Sequence, residues 1–497
     1  METDNKKNQA NYESRAYQYM AQDWQLTRDV YCGVRAMNES PAQYLKPFTK
    51  EDKKDYSQRA ETSEFFNVFA GTINGVVGSV FGENIISNDI PPSLEILFED
   101  IDLCGNDIAS FLRVSFTNAV RDGHSFIFVD TPPAFEIEDN ELLTLADVID
   151  RRPFWVNYEA AQAINWQCQE INGKTELSQI TFRECVIEVD GMFGEREVIR
   201  YRVLRRGSFE LFIESKNEKG EKVLVSFGER FTNSDHIPIV VIYANRKGML
   251  ESTPPYLELL RTNLKHYNSL SKFDFTLDFV APMPVFHVSD ESDAEKFAKI
   301  QASANRSIIL WGENADAKYL ELQGSSVQVL KERIESAEMR MAKMGIEKYA
   351  PLQDLSNKTA FEISSDNQKE MSQVALMAKN LEDAVEQALY LTAELNNSIQ
   401  GSSTTNLTDT EDSEFKLNIN YDRLTFSIEQ LNFVNTLVDS HKLSLQTFWE
   451  WLPQVMRLPK DFSPETELER LKGEASLLPS APMPTNNFGK EGEEIKL

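Results

Sequence analysis

The chain is poor in the residues that most often build catalytic and metal sites. Its 497 residues hold five histidines and four cysteines. The cysteines, Cys32, Cys104, Cys168 and Cys185, form no CxxC pair. That excludes a thioredoxin-type or zinc-ribbon spacing and reads as reduced thiols in a cytosolic fold. The histidines, His124, His236, His266, His287 and His441, are isolated from one another. No GxxxxGK[ST] loop is present, so a motor ATPase is excluded by its missing phosphate cradle. GxGxxG after a strand, HExxH and GxSxG are also absent, and with them the dinucleotide, zincin and α/β-hydrolase signatures.

Positive charge is short as well. Lys and Arg total 51 against 79 Asp and Glu, a net charge of −28. A protein that grips nucleic acid over a wide surface neutralises phosphates with Lys and Arg, and this balance argues against one. Long apolar runs are missing too. The longest, Ile237 to Ala244, spans eight residues, against the ~20 needed for a membrane helix. The polar start, METDNKKNQANYESR, reads as no secretory leader, so the protein is expected in the cytoplasm or assembled from it.

What is present is a large apolar share, 41% with 10% aromatic. That is too rich for general disorder and enough for a core without disulfide or metal staples. Residues 1–60 are polar and charge-balanced. FFNVFAGTINGVVGSVFG, from Phe65, reads as a packed core helix whose glycines at 71, 75 and 78 permit close helix contact. Residues 89–150 carry fourteen acidic and two basic side chains around a helix, Asp107 to Asp122, and a strand, Ser125 to Asp130. Residues 153–245 alternate β-branched and aromatic runs with turn formers at Asn172-Gly173, Asp190-Gly191, Arg206-Gly207 and Lys219-Gly220, the pattern of an antiparallel β domain.

Beyond Pro254-Pro255 the period turns helical, with Leu260, Leu264 and Tyr267 in register. KFDFTLDF then alternates strictly at Phe273, Phe275, Leu277 and Phe279. A strand and a helix buried on two faces both fit it. Residues 281–325 are short apolar pieces broken by prolines and glycines, a small α+β insertion. Two heptad helices follow. Val327, Leu330, Ile334, Ala337, Met341 and Met344 form the first seam, stopped by Gly345. Met371, Val374, Ala378, Leu381, Val385, Ala388, Thr392 and Leu395 form the second, over about 363–397. The inter-helix seam residues Leu330, Ile334, Met341, Leu381 and Val385 are read as too many for one slender subunit to cover, leaving part for neighbours. EKYAPLQDLSNKTAFE between the helices is a loop. Residues 400–414 read as a linker, EFKLNINY as a strand, and the Pro-rich tail from Gly473 as disordered.

Two carboxylate clusters carry donor types that could do chemistry. Asp122, His124 and Asp130 contain the donor types of a metal-dependent nuclease, but Asp122-Gly123 is also a plain turn opening a strand. Asp100 and Asp102 could pair as acid and base, or be solvated carboxylates on an acidic segment. Neither is positive evidence of catalysis, so no catalytic, cofactor or metal residue is assigned, and the chain reads as no enzyme.

A string of local patterns resembles the portal proteins of tailed bacteriophages. It comprises Tyr44-Leu45-Lys46-Pro47 with Tyr56, Arg59-Ala60 and Phe66-Asn67; IDLCGNDIASFLR leading to RDGHSFIFVDTPP; RRPFWVNYEAAQAINWQ; IPIVVIYA with PPYLELLRTNLKHYNSLSKFDFTLDFVAPMP; and LSLQTFWEWLP with DFSPETELERL. Each is weak alone; their order over about 20–472 is specific. The resemblance implies an α+β portal-type fold. Residues 1–254 would be a wing holding the β domain, 255–280 and 326–345 two stem helices, and 281–325 a clip. Residues 346–362 would be a tunnel loop, 363–420 a wing spine with its linker and strand, 421–472 a crown, and 473–497 a tail. On this reading KFDFTLDF ends a helix, and the clip folds by exchanging strands between neighbours.

The implied function is a ring, usually of twelve copies, at one capsid vertex of the virion, assembled in the host cytoplasm. DNA enters and leaves through its channel. Its implied partners are itself, capsid protein, the terminase large subunit, then head-completion or tail adaptor proteins, and passing double-stranded DNA, with no membrane and no cofactor. Lys348, Asn357 and Lys358 of the tunnel loop would face DNA, although a solvated surface turn also fits them. The acidic balance would line a wall that keeps DNA mobile, or would only aid solubility. Two other classes stay open: a shell or adaptor protein without a channel, and a metal-dependent hydrolase.

Overall fold

A computed structural model describes residues 9–49, 51–82, 86–88, 91–132, 152–171, 173–216, 222–231, 234, 236–280, 284–287, 316–319, 324–345, 360–400, 414–417, 436 and 470. The tunnel loop with Lys348, Asn357 and Lys358, nearly all of the crown, the Lys219-Gly220 turn and the tail lie outside them. The chain divides into two units, 1–419 and 420–497, and all the strands and helices named below belong to the first. That unit is α+β, with helices beside antiparallel sheets.

The N-terminal helices start where the sequence supplies a cap. Ser14 opens α1 (Arg15–Cys32), Asp52 opens α2 (Lys53–Thr62), Asn67 opens α3 (Val68–Val80) and Asp107 opens α4 (Ile108–Asp122). Each cap side chain accepts from a backbone N–H of the first turn. Helix α3 buries Val68, Phe69, Thr72, Ile73, Val76, Val77 and Val80. The expected glycine contact falls on its other side: Gly71 and Gly78 are exposed, and a β-carbon at Gly78 would meet nothing within 4 Å.

Strand β1 (Ile86–Asn88) precedes α4, and β2 (His124–Asp130) follows it directly. Six of the seven β2 residues are buried because β2 is the middle of a three-stranded sheet. Its flanks are β3 (Phe154–Glu159) and β9 (Ile239–Tyr243), both antiparallel. A second sheet is the meander β4 (Ala163–Ile171), β5 (Lys174–Asp190), β6 (Gly194–Arg205), β7 (Ser208–Lys216) and β8 (Lys222–Phe231). The single β domain expected over 153–245 is therefore two sheets. Its first and last strands pair across β2, which lies outside that range. Gly173, before β5, has φ 78°, and Arg206-Gly207 is a two-residue hairpin turn with its glycine at φ 71°; Asn172 lies outside the described residues. The sheets share a core in which the Tyr158 and Phe182 rings stack at 4.2 Å and Phe126 meets Phe182 edge-on. A small hairpin, β10 (Arg246–Gly248) with β11 (Glu251–Ser252), leads out of the sheets.

Helix α5 (Leu257–Val280) runs through KFDFTLDF without a break. The alternation reflects partial burial, not a strand: Phe275 rests on Phe48 at 5.2 Å, and Leu277 is 40% exposed. Strands β12 (Pro284–His287) and β13 (Asp316–Tyr319) pair with each other, His287 opposite Asp316. Helix α6 (Gly324–Met344) packs back along α5. Helix α7 (Ala360–Gln400) has 41 residues, about 60 Å at 1.5 Å per residue. Strand β14 (Glu414–Lys416) returns to pair with β1.

The α7 seam is buried within one chain, and the α6 seam is only partly so. Val374, Ala378, Leu381, Val385, Ala388 and Leu395 are each 5% exposed or less within one chain. They are covered largely by sheet, chiefly β9, together with β2 and β14, not by a neighbouring subunit. Ile334 and Met341 of α6 are buried as well, and Leu330 is half-buried.

Candidate functional site

The helix–hairpin–helix series is the structural candidate for function, and its base is built from polar residues of α5, with Asn263 and Ser271 buried and Asn268 half-buried. Asn263 accepts from the Phe69 N–H at 3.1 Å and donates to Phe66 O at 2.8 Å. Asn268 accepts from Lys46 N–H at 2.9 Å and donates to Tyr44 O at 2.7 Å. Ser271 accepts from Arg59 Nη1 at 2.9 Å and lies 2.7 Å from Ser63 Oγ. Each contact reaches the 44–69 segment, so the N-terminal helices clasp one face of α5.

Arg59 closes this clasp. It donates to both Glu51 carboxylate oxygens, at 2.7 and 2.8 Å, and to Lys46 O at 3.0 Å. Its guanidinium also lies 4.0 Å from the Phe48 ring centroid. A fork with planar faces suits such a site, where a lysine's point charge would not. The Arg59 hydrogen bonds hold the Glu51 carboxyl below its usual range. Arg59 and Glu51 side chains are only 5% and 3% exposed.

Across the hairpin, His266 of α5 meets Glu338 Oε1 of α6 at 3.1 Å, while its Nδ1 is buried without a partner among the described residues. Val68, Leu259 and Met341 form the small apolar cluster beneath. Gly345 does not stop α6 by a left-handed cap. It is the point of closest approach, where a β-carbon would overlap Thr72 and stand 2.9 Å from Leu259. Sequence reasoning missed Asn263, Asn268 and Ser271; polar residues inside an otherwise apolar helical face were the available signal.

Helix α7 is tied to the sheets at several points. Trp155 Nε1 donates to Thr392 Oγ1 at 2.9 Å, Asn380 Nδ2 to Tyr243 O at 3.0 Å, and the Leu417 N–H to Glu382 at 2.6 Å.

The metal-type residues are not brought together. Asp122 accepts from Arg121 and, at 2.8 Å, from Thr27. His124 bonds Ser252 Oγ at 2.6 Å among the rings of Trp24, Phe126 and Tyr243, and burial pushes its pKa down to about 3. Asp130 faces Arg202 at 2.9 Å, at the far end of β2, about 20 Å from His124 along an extended strand. Burial pushes the Asp130 carboxyl up. Arg202 also reaches Glu184 at 2.8 Å, and Glu184 in turn bonds Tyr158 and Arg200. These groups join the two sheets. Asp100 and Asp102 shape one loop, accepting from Gly105 N–H at 2.9 Å and Cys104 N–H at 3.0 Å, with Arg152 on Asp100. Among the described residues no group of three or more His, Cys, Asp or Glu could hold a metal ion, and no helix is long and apolar enough to cross a membrane.

No curated protein matches the chain. Among solved structures, it is similar to a chain from the neck of an empty gene transfer agent (GTA) particle computed with C6 symmetry, at 11% identity and TM-score 0.40. That match covers 84% of this chain and 98% of the other. It is also similar to a chain from the virion of the native particle, at 10% identity and TM-score 0.36, covering 83% of this chain and 95% of the other. A family model described as a domain of unknown function, DUF4055, matches residues 255–395, which take in α5, β12, β13, α6 and most of α7.

Proposed function

We propose that the chain is a portal-type structural protein of a phage-like particle. In this reading it forms a ring at one capsid vertex, through which double-stranded DNA is packaged and ejected. The observation that supports this is the element order from Leu257 to Gln400: a helix, an antiparallel strand pair, a helix packed back on the first, then a 41-residue helix. The chain-wide string of portal-like sequence patterns predicts that order. Helices α5 and α6 are the stem, β12 and β13 belong to the clip, and α7 is the wing's spine.

The clip is the docking platform, first for the terminase large subunit and then for adaptor proteins. Between α6 and α7 the tunnel loop lines the channel, where Lys348, Asn357 and Lys358 touch phosphates transiently. Exposed charge pairs worth ~0–1 kcal/mol each are compatible with sliding. The ring has twelve copies, sits in the virion, and carries out no catalysis.

Negative-stain images and light scattering of the purified protein test this. Closed rings with a central channel are the expected result, and a monomer at micromolar concentration at every salt overturns it. Lys348→Ala with Lys358→Ala then leaves rings intact but alters packaging or retention of DNA. Wild-type packaging by that variant removes the lysines from the channel while leaving the ring reading in place.

A further inference from the structure

The most exposed apolar residues of the described chain lie at one point. Met192 and Phe193 are 86% and 93% exposed, at the turn between β5 and β6. These two strands outrun their neighbours. Pairing with β4 ends at Phe182, and pairing with β7 ends at Arg200. From Cys185 opposite Ile199 to Asp190 opposite Gly194 they pair only with each other. The result is a two-stranded finger about 20 Å long. Ile187 and Val189, 63% and 82% exposed, share one of its faces just before the tip. A free two-stranded ribbon with a bare apolar end is marginal in water, and a patch of this kind marks a contact. The finger is also acidic: Glu188, Asp190, Glu195 and Glu197 stand against Arg196.

A complementary surface lies on the same chain. A groove of about 710 Å³ runs between α3 and α4, floored by Tyr31, Val77, Phe81 and Val114. Its only charged lining residues are Arg113 and Arg121. Arg113 is exposed and lies 5.9 Å from the Phe81 ring centroid, while Arg121 is buried against Asp122. Arg121 is neutralised by Asp122 and by Glu159 at 3.4 Å, so in a chain of net charge −28 the exposed Arg113 at the groove's edge is the charge that attracts an acidic segment. Gly78 leaves its side open, since a β-carbon there meets nothing.

We infer that the Met192–Phe193 finger of one copy seats in the α3–α4 groove of a second copy of this chain. Tip and groove are both uncovered among the described residues of one chain, and the acidic finger suits the Arg113 edge of a second copy's groove. Finger and groove are different surfaces, so it is a head-to-tail contact, which generates a ring when its rotation closes and a filament when it does not. The inference rests on the ring reading above for closure, but not for the contact itself.

The test places a photo-reactive benzoylphenylalanine at position 193 of the full chain, mixed from isotopically light and heavy preparations. The expected adducts join light to heavy copies and map to residues 74–81 or 113–121. Gly78→Leu, which fits the single chain, should remove them. Met192→Asp with Phe193→Asp should weaken self-association about tenfold or more, with unchanged circular dichroism. Adducts elsewhere, adducts between two fingers, no adducts between copies, or unchanged assembly of the Asp variant each overturn the contact. Rings with adducts elsewhere would sink the contact and leave the ring reading standing. Groove adducts in open filaments would do the reverse.

Discussion

Gly345 and Thr72 approach so closely that a β-carbon on Gly345 would overlap the Thr72 hydroxyl. The end of α6 is thereby pressed onto α3, with Leu259 of α5 on the third side. Gly345→Ala should cost about 1–3 kcal/mol, the usual penalty for overpacking. Denaturant unfolding measures it. Thr72→Ala in the same chain should return part of the loss, because the two changes share one contact. Simple additivity of the two would show that the crowding lies elsewhere.

Arg59 and Glu51 give a second expectation. Arg59→Ala leaves the Glu51 carboxylate without its guanidinium partner, at a cost of about 1–3 kcal/mol. Because Arg59 lowers the Glu51 pKa in the folded chain, the pair's stabilisation is full above the unfolded carboxylate's pKa. It is lost as pH falls through the lower folded value. The stability difference between wild type and variant should therefore shrink in acid, and chemical unfolding at neutral and acid pH reads it.

His124 acts on the same pH range. Its folded pKa is about 3 against 6.5 for the free imidazole. Below pH 6.5 the unfolded chain takes up a proton that the folded chain refuses. Stability should fall by about 1.4 kcal/mol per pH unit between those values. His124→Asn should flatten that part of the slope, whatever it does to stability at pH 7. An unchanged slope would mean that the imidazole titrates in the native state.

Asp130→Asn separates a structural carboxylate from a metal ligand. The expected result is a drop in stability of about 1–3 kcal/mol, from the loss of the charge facing Arg202. No metal-dependent DNA cleavage is expected from either protein. Cleavage by wild type that disappears in the variant would revive the nuclease reading.

Local chemistry made much of the fold legible in the sequence. Ser14, Asp52, Asn67 and Asp107 open helices because a short polar side chain can satisfy a first-turn N–H. Arg206-Gly207 turns a hairpin because glycine accepts a positive φ there, as Gly173 does before β5. The heptads of α6 and α7 mark helices because their period is helical. None of these signals names a partner, and partners were where tertiary structure decided. The α7 stripe would suit a neighbouring subunit as well as its own sheet; only the fold shows Leu381 and Val385 buried within the chain. Alternation in KFDFTLDF fits a strand as well as a helix, but the segment continues α5, where Phe275 packs on Phe48 of the 44–69 clasp. Glycines 71 and 78 mark small side chains, not the side of the helix that packs. Asp122, His124 and Asp130 stand close in sequence, yet Arg121, Ser252 and Arg202 draw them to three separate partners. Sequence patterns record what each residue prefers nearby; the competition among distant partners for the same faces is settled only when the chain is packed.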